Sequence, residues 1–265
     1  RCSLPDGFFS ERFLIHVFWG ANCPQAKVIN MHTNGGTRMK LGGVPTPVRL
    51  RRAKHDDCRV LAHLYRMSSC GLADYVWGRA GRPGESPLDT GERRYAESDG
   101  PYSHDKCLIA ELDGEVVGMV HAYPVVGSSK MVRQTDPILR AFQILKDPGS
   151  LHIEGLAVVP FARCLGIGSF LLRAAGWWAG VHGLSRLSLV CLDRNVSAMA
   201  LFNRAGLHEV SRCGLCLDSK TGDQIGEAVL LAGESLWGVP TSGLDLERTH
   251  STVRLSATST MNLPS

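Results

Sequence analysis

Val158-Val159-Pro160-Phe161-Ala162-Arg163-Cys164-Leu165-Gly166-Ile167-Gly168-Ser169 joins a mostly apolar run, residues 151–159, to a second apolar segment, residues 166–181. The first reads as a strand covered on both faces and the second as a helix. Pro160 ends the strand. Gly166 and Gly168 permit a tight turn whose backbone comes close to a ligand. A helix starting there leaves several N–H groups unpaired at the positive end of its dipole, where a phosphate or pyrophosphate can sit. Two competing phosphate fingerprints fail on specific residues. A dinucleotide-binding GxGxxG needs glycine where Leu171 stands, and no Gly-Lys-Ser/Thr is present for a P-loop. Gly-x-Gly by itself also fits a turn that only packs.

Working outward, residues 34–47 are rich in Gly, Pro and Thr and read as a linker. Residues 47–53 read as a strand, and residues 55–69 as a helix whose apolar face is Val60, Leu61, Leu64 and Met67. A short helix follows at 72–77. Residues 79–105 are polar and punctuated by Gly81, Pro83, Gly84, Pro87 and Gly100, which predicts a long surface insertion with one helical turn near 92–96. Residues 107–112 and 115–125 flank Asp113-Gly114, a strong hairpin signal. Asp136-Pro137 opens a helix over 136–146. A strand at 185–191, a helix at 198–204 and strands at 209–217 and 227–232 complete the pattern. The order β, αα, ββ, α, β, α, β, α, ββ predicts an α/β (α+β) fold, a mixed sheet with helices on both faces. The domain is expected over residues 46–235. Residues 1–45 of a chain that starts on Arg1 are expected to be a disordered or spurious extension, and the Ser/Thr-rich residues 236–265 a disordered tail.

The composition is that of a globular protein: 265 residues, 44% hydrophobic and 20% charged. A net charge of +4 without charge runs gives no general reason to expect nucleic acid or a membrane surface. Arg49, Arg51, Arg52 and Lys54 cluster, and a solvated strand edge is the preferred account of them. Nine cysteines, an odd count at irregular spacing, argue against a disulfide framework. Cys213-Gly214-Leu215-Cys216 lacks a second ligand pair, so no metal site is expected. No apolar stretch approaches the ~20 residues that span a bilayer, and the chain is expected in the cytoplasm.

Arg163-x-x-Gly166-x-Gly168, with Val158 and Phe161 ahead of it, closely resembles the acyl-CoA-binding motif Arg/Gln-x-x-Gly-x-Gly/Ala of the GNAT acetyltransferase superfamily. Val48-Arg49-Leu50-Arg51-Arg52-Ala53 followed by Asp56-Asp57 is similar to that superfamily's opening strand and helix cap. Residues 108–123 are similar to its second and third strands. Asn195-x-x-Ala198-x-x-Leu201-Phe202-x-x-x-Gly206-Leu207 is similar to its later Asn…Ala…Leu-Tyr…Gly-Phe element. The resemblance covers roughly residues 48–233. It implies a GNAT-like mixed, mostly antiparallel central sheet and acetyl-CoA as co-substrate. The acceptor would be a primary amine on a small molecule, peptide or protein, attacking directly in a ternary complex. A non-catalytic acyl-CoA-binding or protein-interaction module of the same fold is the alternative, and a homodimer stays open.

By that resemblance, the backbone N–H groups of Leu165, Gly166, Ile167, Gly168 and Ser169 hold the pyrophosphate behind Arg163. Val158, Val159 and Pro160 pair with the pantetheine arm, and the Val158 N–H polarises the acyl carbonyl. Asn195 meets the pantetheine or caps its helix. Two residues depart from the pattern. Cys164 replaces a frequent glycine and is tolerated if its φ is negative. Phe202 stands where many relatives have the tyrosine that protonates the thiolate. Glu154 is the candidate catalytic base, because burial in an apolar strand raises a carboxyl toward a useful range; a salt-bridged structural glutamate is the alternative. His152 shares its face in a regular strand, and His121 and Tyr123 share one on the preceding strand. These three are acceptor-site candidates, and Tyr123 is the only other tyrosine expected near the cleft.

Overall fold

The computed structural model describes residues 37–41, 44–98, 100–127, 136–216 and 224–235. The expected tail, 236–265, and most of the expected N-terminal extension, 1–36, lie outside them. One sheet of eight strands runs β1–β2–β3–β4–β5–β6–β8–β7. The strands are β1 (Thr37–Leu41), β2 (Val44–Arg52), β3 (Cys107–Leu112), β4 (Glu115–Pro124), β5 (Leu151–Val158), β6 (Arg186–Leu192), β7 (His208–Cys216) and β8 (Gln224–Glu234). Every neighbouring pair is antiparallel except β5 and β6. The helices are α1 (Cys58–Ser68), α2 (Leu72–Ala80), α3 (Pro87–Ala96), α4 (Pro137–Ile144), α5 (Ile167–Val181) and α6 (Val196–Arg204).

Two segments differ from the expected pattern. Residues 37–41 and 44–47 are strands, not linker: β1 folds back on β2 from Leu41↔Val44 to Thr37↔Val48. A reading by composition takes the Gly, Pro and Thr of this stretch as breakers and overlooks the pairing. The insertion at 79–105 holds a ten-residue helix, α3, instead of one turn. Ser86 accepts from the Asp89 N–H, the Asp89 side chain returns to the Ser86 N–H, and Pro87 starts the helix, so both ends of a capping box are present.

Each face of the sheet has its own core. Along β4, Met119 packs with Leu61, Tyr65, Trp77, Tyr95 and Ile109 under α1–α3, while Val120 and Ala122 pack with α5. On α5 the buried residues are Ile167, Leu171, Leu172, Ala174, Ala175, Gly176, Trp178 and Ala179, a helical stripe whose small residues bring the backbone close to the sheet. Each leucine so buried contributes about 1.5–3 kcal/mol. A third cluster seats Ile138, Ala141 and Leu145 of the α4 segment on Leu215, Ala228 and Leu230. Arg51 from the basic cluster is paired with Asp57 and Glu111. Among the described residues, no helix is long and apolar enough to cross a membrane.

Candidate active site

The sheet opens at Glu154. Register between β4 and β5 runs from Gly118↔Val158 to His121↔Gly155, then resumes at Ala122↔Ile153, so Glu154 is the extra residue of a β-bulge. Pairing of β5 with β6 covers only Leu151–Ile153 against Leu187–Leu189. Beyond those three pairs the two strands part. The Val159 N–H donates to the Val117 carbonyl at 2.9 Å, so alternation turns the backbone groups of Leu156 and Val158 to the open side. A cleft of about 420 Å³ occupies the gap, lined by β5 and β6 and by side chains of α1–α4 and α6.

Glu154 sits in this cleft under four donors. Tyr65 and Tyr102 donate to Oε1, each at 3.1 Å, and Tyr123 donates to Oε2 at 2.8 Å. Lys146 Nζ stands 3.5 Å from Oε2 and donates to the Tyr123 oxygen at 3.1 Å. Burial raises the carboxyl, as the sequence suggests, but the Lys146 charge, aided by the Tyr123 hydroxyl, outweighs it and holds Glu154 at about 2. The expectation of a base tuned upward is therefore reversed: Glu154 is an ionised carboxylate at any physiological pH. Burial and then the Glu154 charge raise Tyr65, Tyr102 and Tyr123, which remain phenols.

A buried hydroxyl chain fixes His152. Ser150 Oγ lies 2.6 Å from the Asp147 carbonyl, which only accepts, so its single proton goes there. Ser188 must then donate to Ser150 (2.7 Å) and accept from His152 Nδ1–H (3.0 Å). That leaves the Nε2 lone pair of His152 facing Glu154, 3.7 Å from Oε2. Burial pushes His152 down to about 3, so its imidazole is neutral. Two acceptors thus face one space, wide enough for a donor to bridge them. His121 differs. Its Nε2 donates to the Pro101 carbonyl at 2.7 Å, its Nδ1 accepts from Tyr95, and it is fully buried in the wall behind the cleft. It is a satisfied core histidine.

The turn ahead of α5 has the expected form. Gly166 is the N-cap in the left-handed region (φ 81°), and no side chain caps the helix. The first intrahelical bond, Phe170 N–H to Gly166 carbonyl, leaves the N–H groups of residues 166–169 without helical partners. Arg163 Nε donates to the Val158 carbonyl at 3.0 Å, tying the loop back to the strand it leaves. At Gly168 a Cβ would stand 3.2 Å from the Leu201 side chain, so this glycine serves the close approach of α5 to α6 as well as the turn. Ser169, Arg173 and Arg204 line a second groove of about 200 Å³ beside the turn.

Cys164 has φ 59°, not the negative value expected of a tolerated substitution. A left-handed non-glycine residue costs about 1–2 kcal/mol. Cys164→Gly is accordingly expected to stabilise the fold by about 1 kcal/mol, a rise of roughly 2–4 °C in melting temperature. A lower melting temperature would mean that contacts of the cysteine side chain outweigh its backbone strain.

Of the remaining expected residues, Tyr123, His152, Asn195 and Phe202 line the cleft with Glu154, while Val158, Val159, Pro160, Leu165 and Ile167 belong to the strand end and turn. Asn195 caps α6, accepting from the Ala198 N–H at 3.4 Å. Tyr123 is not alone near the cleft, because Tyr65 and Tyr102 share Glu154 with it. Tyr65 follows Leu61 by four residues, so its place on the inner helix stripe was readable. Lys146 ends the predicted α4 segment but carried no signal of its own. Tyr102 and Arg94 lay in the polar insertion. Among the described residues no three His, Cys, Asp or Glu side chains gather into a metal-binding group.

A model describing the acetyltransferase (GNAT) family matches residues 78–207. A Bacillus subtilis (strain 168) protein described as the uncharacterized N-acetyltransferase YhfO is 36% identical over 102 residues, which are 38% of this chain and 58% of that protein. The chain thus matches little more than half the length of that relative. A crystal structure described as an acetyltransferase has a TM-score of 0.51 at 20% identity, over 70% of this chain and 98% of that one. An agmatine N-acetyltransferase in its apo form has a TM-score of 0.51 at 18% identity, over 71% and 99%. These two likenesses concern the fold alone. The family match spans the insertion, the parted strands, the glycine turn and the Asn195 helix, and by it residues 78–207 belong to the acetyltransferase (GNAT) family, whose members take acetyl-CoA as co-substrate.

Proposed function

We propose that this chain is an N-acetyltransferase that moves the acetyl group of acetyl-CoA to a primary amine by direct attack in a ternary complex. The carrying observation is convergence: the unpaired edge of β5 and the Glu154 cluster meet in one cleft, and the uncapped start of α5 follows on the same strand. The free N–H groups of residues 166–169 suit the pyrophosphate, with Arg173 and Arg204 beside Ser169 for further phosphate. The open edge at Leu156 and Val158 suits the amide groups of pantetheine, and a Val158 N–H aimed at the carbonyl oxygen would stabilise the oxyanion.

In the reaction the neutral amine forms a C–N bond to the acetyl carbon, and the C–S bond breaks with its electron pair leaving on sulfur. The nitrogen gives up one proton and the thiolate ends as a thiol, so the products are an N-acetyl amine and CoA. Glu154, held at about 2, is too weak a base to strip an alkylammonium of pKa ~10. Its role comes after attack, when the nitrogen becomes positive: an ionised carboxylate and the His152 lone pair stabilise that charge more than they stabilise the neutral amine. Phe202 offers no proton to the leaving group. A thiolate of pKa ~8.5 leaves without a dedicated acid.

Free-thiol release from acetyl-CoA by the full chain with a mixed panel of primary amines, and the mass of the product, tests this. Amine-dependent thiol release with N-acetylated product is expected. Tight acetyl-CoA binding without amine-dependent release would instead mark a binding module.

A further inference from the structure

The cleft contains an unbalanced cation. Of the side chains lining it, only Arg94, Lys146 and Glu154 carry charge at neutral pH, since His152 is held neutral. Lys146 is matched to Glu154. Arg94 is not matched. Among the described residues Arg51, Arg59, Arg66, Arg93, Arg186 and Arg212 each form an ion pair with a carboxylate. Half-buried Arg94 has neither ion pair nor hydrogen bond there and lies 4.6 Å over the ring of Tyr102. Stacking on an aromatic face holds a guanidinium in place while leaving its N–H fork free. Tyr102 in turn donates to Glu154 Oε1, so the fork is anchored on the side of the cleft where the amine is to be received. A planar fork of donors without a carboxylate of its own is the arrangement that takes a two-oxygen anion.

We propose that the acceptor amine carries an oxyanion, as amino acids and aminophosphonates do, and that Arg94 reads it while Glu154 receives the nitrogen. This rests on the acetyl-transfer reading. A polyamine, by contrast, brings a second cation into a cleft that already has an excess of one.

The test uses the full chain with saturating acetyl-CoA. Thiol release is measured for the L-amino acids, each against its C-terminal amide, and for aminoalkylphosphonates against their neutral esters. At least a tenfold preference in kcat/KM for the anionic member is expected in one of the two series, and which one identifies the anion. Arg94→Gln is expected to bring that ratio close to one through a higher KM for the anionic amine, and Arg94→Lys to restore part of it. Turnover of amides, esters or polyamines as good as that of the anions overturns this inference and leaves acetyl transfer standing. So does an Arg94→Gln effect that falls on the KM for acetyl-CoA, or equally on both members of a pair. Silence of every amine, with acetyl-CoA bound, overturns both.

Discussion

Gly166→Asp is expected to weaken acetyl-CoA binding at least ~100-fold, whereas Gly166→Asn weakens it by no more than roughly fivefold. The position has φ 81°, which excludes most side chains, yet Asn and Asp enter the left-handed region more readily than other residues. The two variants therefore share shape and strain and differ in one charge. That charge would sit at a helix start with four N–H groups lacking helical partners and no side-chain cap. Beside the CoA pyrophosphate it meets like charge: at ~4 Å and an effective dielectric near 20 the repulsion is about 4 kcal/mol, and a hundredfold change needs only about 2.7. Salt screens such a term, so the gap between the variants should narrow in concentrated salt. Calorimetric titration of both, with melting curves to show that both are folded, is the measurement. Equal affinities would mean that no phosphate lies at this turn.

The turn was legible because its requirements are local. A positive φ at Gly166, the stop at Pro160 and the apolar stripe of α5 each leave a mark within a few residues. Helix α3 was misjudged although its start, Ser86-Pro87-Leu88-Asp89, is equally local. Glycine and proline around it read as continuous breakers and mask that start. The state of Glu154 was not legible. Its burial follows from an apolar strand, but its charge depends on Tyr65, Tyr102, Tyr123 and Lys146, which lie 89, 52, 31 and 8 residues away along the chain. Nor does a sequence of alternating residues disclose a bulge, and the bulge is what sets Glu154 at the point where β5 and β6 part. That Arg94 has no ion-pair partner among the described residues is a fact of the same kind, because it is visible only once those residues are placed in space.

Glu154→Gln is expected to lower turnover at least ~100-fold with acetyl-CoA affinity retained, and to destabilise the fold as well. The amide keeps the size of the side chain but turns one acceptor into a donor facing Tyr123, and it leaves Lys146 without its counter-charge. Stranding one member of a buried pair costs about 3–5 kcal/mol. Lys146 keeps 29% of its side-chain surface, so water offsets part of this and about 2 kcal/mol is expected. Adding Lys146→Met to Glu154→Gln should recover stability without recovering turnover, which separates the two losses. Acid stability gives a further readout. Glu154 is at about 2 in the folded chain against an ordinary 4.5, so its contribution is present above pH 4.5 and disappears as pH falls toward 2. His152, at about 3 against 6.5, stays neutral while the unfolded chain takes up a proton, so stability already begins to fall below pH 6.5. The wild-type chain should therefore begin to lose stability below pH 6.5 and lose more below 4.5, and Glu154→Gln should shrink the lower loss, which Glu154 shares with other lowered carboxylates such as Asp57 and Glu85. The pH profile of turnover decides the chemistry. An electrostatic partner of the attacked nitrogen gives the same fractional loss at every pH, because neutral amine is supplied by the solvent with or without Glu154. A proton-abstracting base would show the loss shrinking at high pH, and unchanged turnover at neutral pH would make Glu154 a structural residue.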